Sequence, residues 1–157
     1  MVDAAQTSAQ SSTAGQSGEP MLIGVYSDDR DVRRSVMLAL GSRPAADVGP
    51  VACVEFATAP ALTRALDRGV NGARLDVVVL DAEAVPAGGM GLARQIKDEI
   101  YDAPPVVLIV ARPQDGWLAA WSRADAVITH PIDPRATAAA VAGLLRDQQA
   151  RSGIVPA

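Results

Sequence analysis

Two unbroken apolar runs organise the pattern of this chain. Val77, Val78, Val79 and Leu80 form one and end abruptly in a carboxylate, Asp81; residues 106–111, VVLIVA, form the other. A run with no polar alternation fits a strand covered on both faces, as in the middle of a parallel sheet. Three further segments read as strands: MLIGVY at Met21–Tyr26, VACVEFA at residues 51–57, and the short AVIT at Ala126–Thr129. Between them the apolar spacing becomes helical. Val32, Val36, Met37 and Leu40 mark a helix over Arg30–Leu40, which the polar cluster Ser27-Asp28-Asp29 can cap. Leu62 and Leu66 mark another over residues 59–69. A third helix is expected over residues 92–100, after a Gly-rich loop at 87–91, and Pro104-Pro105 stops it. Residues 112–115 turn into a helix carrying Trp117, Leu118 and Trp121. The last helix, residues 134–149, has Pro134 in its first turn and turns Leu144 and Leu145 inward.

Five strand–helix units in succession, with no internal repeat, imply an α/β fold: a doubly wound five-stranded parallel sheet with helices on both faces. In the flavodoxin-like strand order 2-1-3-4-5, the C-terminal ends of strands one, three and four converge on one crevice. The residues found there are Ser27-Asp28-Asp29, Asp81 and Ala111, with His130-Pro131 after the fifth strand. Each also has a plain structural reading. Asp81 can cap the turn that follows it, and His130 can be a loop residue before proline.

The 157 residues suffice for one domain, assigned to 21–150, between an N-terminal tail of 1–20 and a C-terminal tail of 151–157. The first twenty residues are Ala, Gln, Ser, Thr and Gly without a hydrophobic centre, so a disordered tail is expected rather than a signal peptide. No effector domain is expected after the fifth helix. A net charge of −4 opposes a nucleic-acid role, which needs a basic face. One cysteine, Cys53, excludes an internal disulfide and a multi-cysteine zinc site, and its strand context reads as a buried thiol. No apolar stretch is long enough to span a membrane, so a cytoplasmic protein is expected.

The segments DVVVLDAEAVPAGGMG, PPVVLIVA and ADAVITHPIDP resemble the receiver domain of two-component response regulators, over Met21 to about Gln149. In that family the third-strand Asp accepts a phosphoryl group and an acid pair after the first strand holds magnesium. A Thr or Ser ending the fourth strand and a Lys-Pro after the fifth contact the phosphoryl oxygens. The resemblance implies that Asp81 is the acceptor and that Asp28, Asp29 and Asp81 form the metal set. A gap-free match puts Ser27-Asp28 at the acid pair; a shift by one restores Asp28-Asp29. The other positions depart from the pattern. Val110 stands for the Thr, Val127 for the aromatic switch residue and His130 for the Lys, and the lone lysine, Lys97, lies on another helix.

These departures have chemical consequences. An aspartyl phosphate adds about −1.5 to −2 charge and three strong acceptor oxygens. Val110 offers no hydroxyl, and an unmet buried acceptor costs roughly 1–3 kcal/mol. Magnesium is a hard octahedral ion that one lost acid weakens, so no cofactor is required and any magnesium is weakly held. The leading expectation is therefore a protein-binding module without enzymatic turnover. The alternative is a phosphoacceptor whose Asp81 is phosphorylated by a histidine kinase. A third reading takes Asp81-Ala82-Glu83 as a trace of the nucleophile motif of small phosphatases, though the second Asp is missing. Residues 87–91 fit neither a dinucleotide fingerprint nor a P-loop.

Trp117 and Trp121 lie one helical turn apart in a chain with few aromatics, on a face that receivers use for docking. Trp117 matches a position that packs inward in receivers, whereas Trp121 falls where a polar residue is usual. Both are candidate partner contacts. GGMGLARQIKDE and RPQDGWLAAWSRADAVITHPIDP further resemble orphan, receiver-only proteins of mycobacteria and related actinobacteria. That group is associated with the NADH–quinone oxidoreductase, respiratory complex I. The resemblance implies complex I subunits as partners and a place at the cytoplasmic side of the inner membrane, held there through the partner.

Overall fold

A computed structural model describes residues 18–153. Most of the expected N-terminal tail lies outside the described residues, as do residues 154–157. The elements alternate throughout: β1 (Met21–Tyr26), α1 (Arg30–Leu40), β2 (Val51–Phe56), α2 (Ala59–Arg68), β3 (Val77–Asp81), α3 (Gly89–Glu99), β4 (Val106–Val110), α4 (Trp117–Ser122), β5 (Ala126–Thr129) and α5 (Pro134–Gly153). A single turn of 3-10 helix, Pro113–Gly116, leads into α4. The five strands are parallel in the order β2-β1-β3-β4-β5.

Every residue of β3 and β4 is buried, as their continuous apolar runs require. Alternate residues feed two separate cores, because successive side chains of a strand point to opposite faces. Val78, Leu80, Val106 and Leu108 pack with Leu62 of α2, Leu92 and Ile96 of α3 and Ala119 of α4. Val77, Val79, Val107 and Ile109 pack on the other side with Val36 and Leu40 of α1 and with Val141 and Leu145 of α5. Each such side chain contributes roughly 1.5–3 kcal/mol when fully buried, before entropy is subtracted. Asp29 caps α1, its carboxylate accepting from the Asp31 N–H at 2.8 Å. Thr58 does the same for α2 through the Ala61 N–H at 3.3 Å.

Several boundaries differ from the sequence-based expectation, with β2, α2 and β4 each ending one residue early. Helix α3 begins at Gly89, three residues before the expected start at 92, so half of the Gly-rich stretch is helical. The reason is tertiary: the start of α3 lies on the end of β3, where a Cβ at Gly89 would sit 2.7 Å from the Asp81 carbonyl oxygen. Helix α4 is only six residues long. Helix α5 continues to Gly153, so residues 151–153, expected in the C-terminal tail, are helical. Among the described residues no helix is long and apolar enough to cross a membrane.

Candidate functional site

Strand order decides which polar residues meet. β1 and β4 flank β3, and β5 lies beyond β4, so their C-terminal ends open on one side of the sheet. Asp81 ends β3 with only 3% of its surface exposed. Ser27, the residue after β1, is fully buried and donates its hydroxyl to Asp81 Oδ2 at 2.7 Å. Asp81 Oδ1 accepts from the Glu83 N–H at 3.0 Å and lies 3.3 Å from His130 Nε2. When Asp81 is ionised that ring nitrogen carries the hydrogen, because a carboxylate only accepts. Both oxygens of Asp81 are therefore engaged. His130 reaches Oδ1 across β4, held by its backbone N–H on the Val110 carbonyl at 3.0 Å.

The β1 end is itself braced. The Arg33 guanidinium donates to the Ser27 carbonyl at 2.7 Å and pairs with Glu55 at 3.0 Å. Ser27 Oγ also accepts from the Asp29 N–H at 3.0 Å, which ties the hydroxyl to the start of α1. The loop after β3 is held by β1 as well. Its Val85 N–H donates to Asp28 Oδ1 at 3.2 Å, and the buried Tyr26 hydroxyl donates to the Ala87 carbonyl at 2.6 Å. Burial pushes the Tyr26 phenol up from its usual range, and the carboxylates of Asp28 and Asp81 push it further.

The residues expected to hold a metal are not brought together. Ser27, not Asp29, stands against Asp81, while Asp29 is spent as the α1 cap and Asp28 holds the loop. Among the described residues no three His, Cys, Asp or Glu side chains group as a metal would need. Magnesium binds through hard oxygen lone pairs in near-octahedral geometry. Here the oxygens of Asp81 already face three donors, and its nearest neighbour is a hydroxyl pointing its hydrogen inward. This donor set does not fit magnesium.

Val110 is buried and brings no hydroxyl to the crevice, and Val127 is half-buried in the core beneath α2, α3 and α4. Lys97 is remote from Asp81. It pairs at 2.6 Å with Asp125, which also accepts from the Val106 N–H at the beginning of β4. Trp117 and Trp121 are 71% and 50% exposed, which corrects the inward packing expected of Trp117. Helix α4 is so short that it buries only Ala119 and Ser122. The Arg94 guanidinium lies 4.9 Å over the Trp121 ring and also donates to the Trp121 carbonyl at 2.9 Å. Nothing in the sequence links α3 to α4 at this contact. A cleft of about 960 Å³ between α2 and α3 is floored by Leu62, Leu92 and Ile96 and does not include Asp81.

No protein-family model matches the chain. Uncharacterized response regulatory proteins from two strains of Mycobacterium tuberculosis are 45% identical to it over 130 residues, covering 83% of this chain and 95% of each relative. Among solved structures, the response regulator DrrB of Thermotoga maritima superposes with a TM-score of 0.65 at 21% identity, over 82% of this chain and 54% of that one. A CheY-like receiver domain protein from Methanospirillum hungatei gives a TM-score of 0.65 at 16% identity, over 85% of this chain and 99% of the other. At such low identities the two structures speak for the fold alone.

Proposed function

The chain belongs to the response-regulator family, as a receiver domain, and from that membership we propose that Asp81 is a phosphoacceptor in a two-component relay, supplied by a histidine kinase. The observation that carries this reading is the Asp81 carboxylate at the end of β3, with His130 Nε2 3.3 Å from Oδ1. A ring N–H there is within reach of an incoming phosphoryl oxygen, a contact that favours the charge developing in transfer. One carboxylate oxygen attacks phosphorus, and the bond from phosphorus to the donor's imidazole nitrogen breaks. Asp81 leaves with the phosphoryl group and the kinase histidine is restored. The chain then carries a signal and turns over nothing of its own. With valine at 110 and 127, those two positions bring neither a hydroxyl nor an aromatic ring to the new charge, so the change at the crevice is mainly electrostatic. Mass spectrometry after incubation with acetyl phosphate or a histidine kinase tests the reading. An adduct on Asp81, absent from Asp81→Asn, is expected; no adduct with either donor would refute it.

A different observation favours a second reading, a docking module. Two exposed indoles on one short helix are costly in water and are enriched at interface hot spots. The sequence resemblance supplies subunits of NADH–quinone oxidoreductase as the partner, which would hold the chain at the cytoplasmic side of the inner membrane. Trp121→Ala should then abolish co-purification with those subunits while leaving the melting temperature nearly unchanged. Undiminished co-purification would end this reading.

A further inference from the structure

We propose that Ser27 makes the Asp81 crevice independent of divalent cations, its hydroxyl holding Oδ2 where a cation would otherwise bind. The chemistry of this proposal rests on the acceptor reading of Asp81, whereas its geometry does not. Ser27 is fully buried, and its hydroxyl is used twice, donating to Asp81 Oδ2 at 2.7 Å and accepting from the Asp29 N–H at 3.0 Å. Its hydrogen therefore points at Asp81, and a cation at Oδ2 would meet that hydrogen or have to turn away the hydroxyl of a fully buried side chain. The neighbouring carboxylate, Asp28, is turned to the loop after β3, holding the Val85 N–H at 3.2 Å through Oδ1. Breaking one buried hydrogen bond lowers an equilibrium constant by about tenfold. Asp29 cannot compensate, because its carboxylate caps α1.

Ser27 also leaves the two oxygens of Asp81 unequal. Oδ2 accepts from the Ser27 hydroxyl, whereas Oδ1 accepts from the Glu83 N–H and lies beside His130 Nε2. With acetyl phosphate, one oxygen of Asp81 bonds to phosphorus, the bond from phosphorus to the acetyl oxygen breaks, and acetate leaves with the electron pair. Nothing is oxidised or reduced. Ser27 acts here as a positioning residue: it touches Asp81 and not the donor.

The test has two arms. In the first, manganese and magnesium are titrated by calorimetry and by paramagnetic broadening of amide signals, with no phosphoryl donor present. The wild type should show no binding below millimolar concentration, and Ser27→Asp, which adds a third carboxylate, should bind at least tenfold more tightly. Sub-millimolar binding to the wild type, or a Ser27→Asp variant that folds and binds no better, would overturn the proposal. In the second arm, acetyl-phosphate labelling should proceed as fast in EDTA as in magnesium. Ser27→Ala should slow it about tenfold without changing the half-saturating donor concentration, and Ser27→Thr should restore it. Labelling that requires magnesium also overturns the proposal. Should no variant label at all, the acceptor reading falls, and the metal titration still decides the role of Ser27.

Discussion

Gly89 offers a test of how closely helix and site are joined. In an ordinary helix interior, glycine to alanine is favourable by roughly 0.5–1 kcal/mol, because alanine loses less backbone freedom on folding. Gly91 is such a position: it is exposed, and a Cβ built there meets nothing within 4 Å. At Gly89 the same methyl would lie 2.7 Å from the Asp81 carbonyl oxygen, 2.8 Å from its carbon and 2.9 Å from the Leu80 carbonyl carbon. All three are backbone atoms of a strand buried on both faces, so no side chain can turn aside. Relief must come from moving α3 off the sheet or from bending the end of β3. Overpacking of this kind costs about 1–3 kcal/mol or more, which exceeds the propensity gain and reverses the sign. Urea denaturation should therefore show Gly91→Ala stabilised by about 0.5–1 kcal/mol and Gly89→Ala destabilised by about 2 kcal/mol. In melting temperature the latter corresponds to a fall of roughly 6–10 °C for a domain of this size. The displaced strand end should also loosen the Ser27–Asp81 contact, slowing phosphoryl labelling of Asp81 more than the stability loss explains. If both variants are stabilised equally, the close packing of α3 on Asp81 is wrong.

The double substitution Val110→Thr with His130→Lys supplies a hydroxyl at the end of β4 and a fixed cation after β5, and should speed acetyl-phosphate labelling of Asp81. A wild type that labels as fast would show that these positions do not limit the chemistry. Tyr26→Phe removes the donor that holds the Ala87 carbonyl and should cost about 1 kcal/mol in urea denaturation; a neutral result would mean that water replaces the contact. The Cys53 thiol is pushed up to about 11, by burial first and by Glu55 second. At pH 8 roughly one molecule in a thousand then carries the thiolate, so iodoacetamide should react far more slowly with the folded chain than with the denatured one. Because the folded thiol holds its proton longer, its contribution to stability is intact below about pH 8.5 and is lost as pH rises towards 11. Fast alkylation at pH 8 would contradict this burial.

How much of this was legible in the residues follows from which forces are local. The runs Val77–Leu80 and 106–111 read as strands covered on both faces, and the structure buries all of them except Ala111; helical spacing at Val36 and Leu40 or at Leu62 is equally local. Five such alternations, with right-handed crossovers, leave few topologies, so the convergence of Ser27, Asp81 and His130 at one end of the sheet could be anticipated. Their contacts could not. Ser27, Asp28 and Asp29 are consecutive polar residues, and periodicity does not tell which one turns inward. The choice falls to Ser27 because α1 takes Asp29 as its cap, while the loop after β3 takes Asp28. The start of α3 is hidden in the sequence because glycine weakens a helix by propensity, whereas Gly89 is helical through its close approach to the backbone of another element. The exposure of Trp117 is likewise decided by tertiary packing. A six-residue helix has room to bury only two small residues, Ala119 and Ser122, and its indoles are left to solvent and to Arg94. Hydrophobic period and turn chemistry act over a few residues and are written along the chain. Which polar group faces Asp81, and where a helix can approach it, depends on atoms more than fifty residues apart, and only the folded sheet brings those within reach.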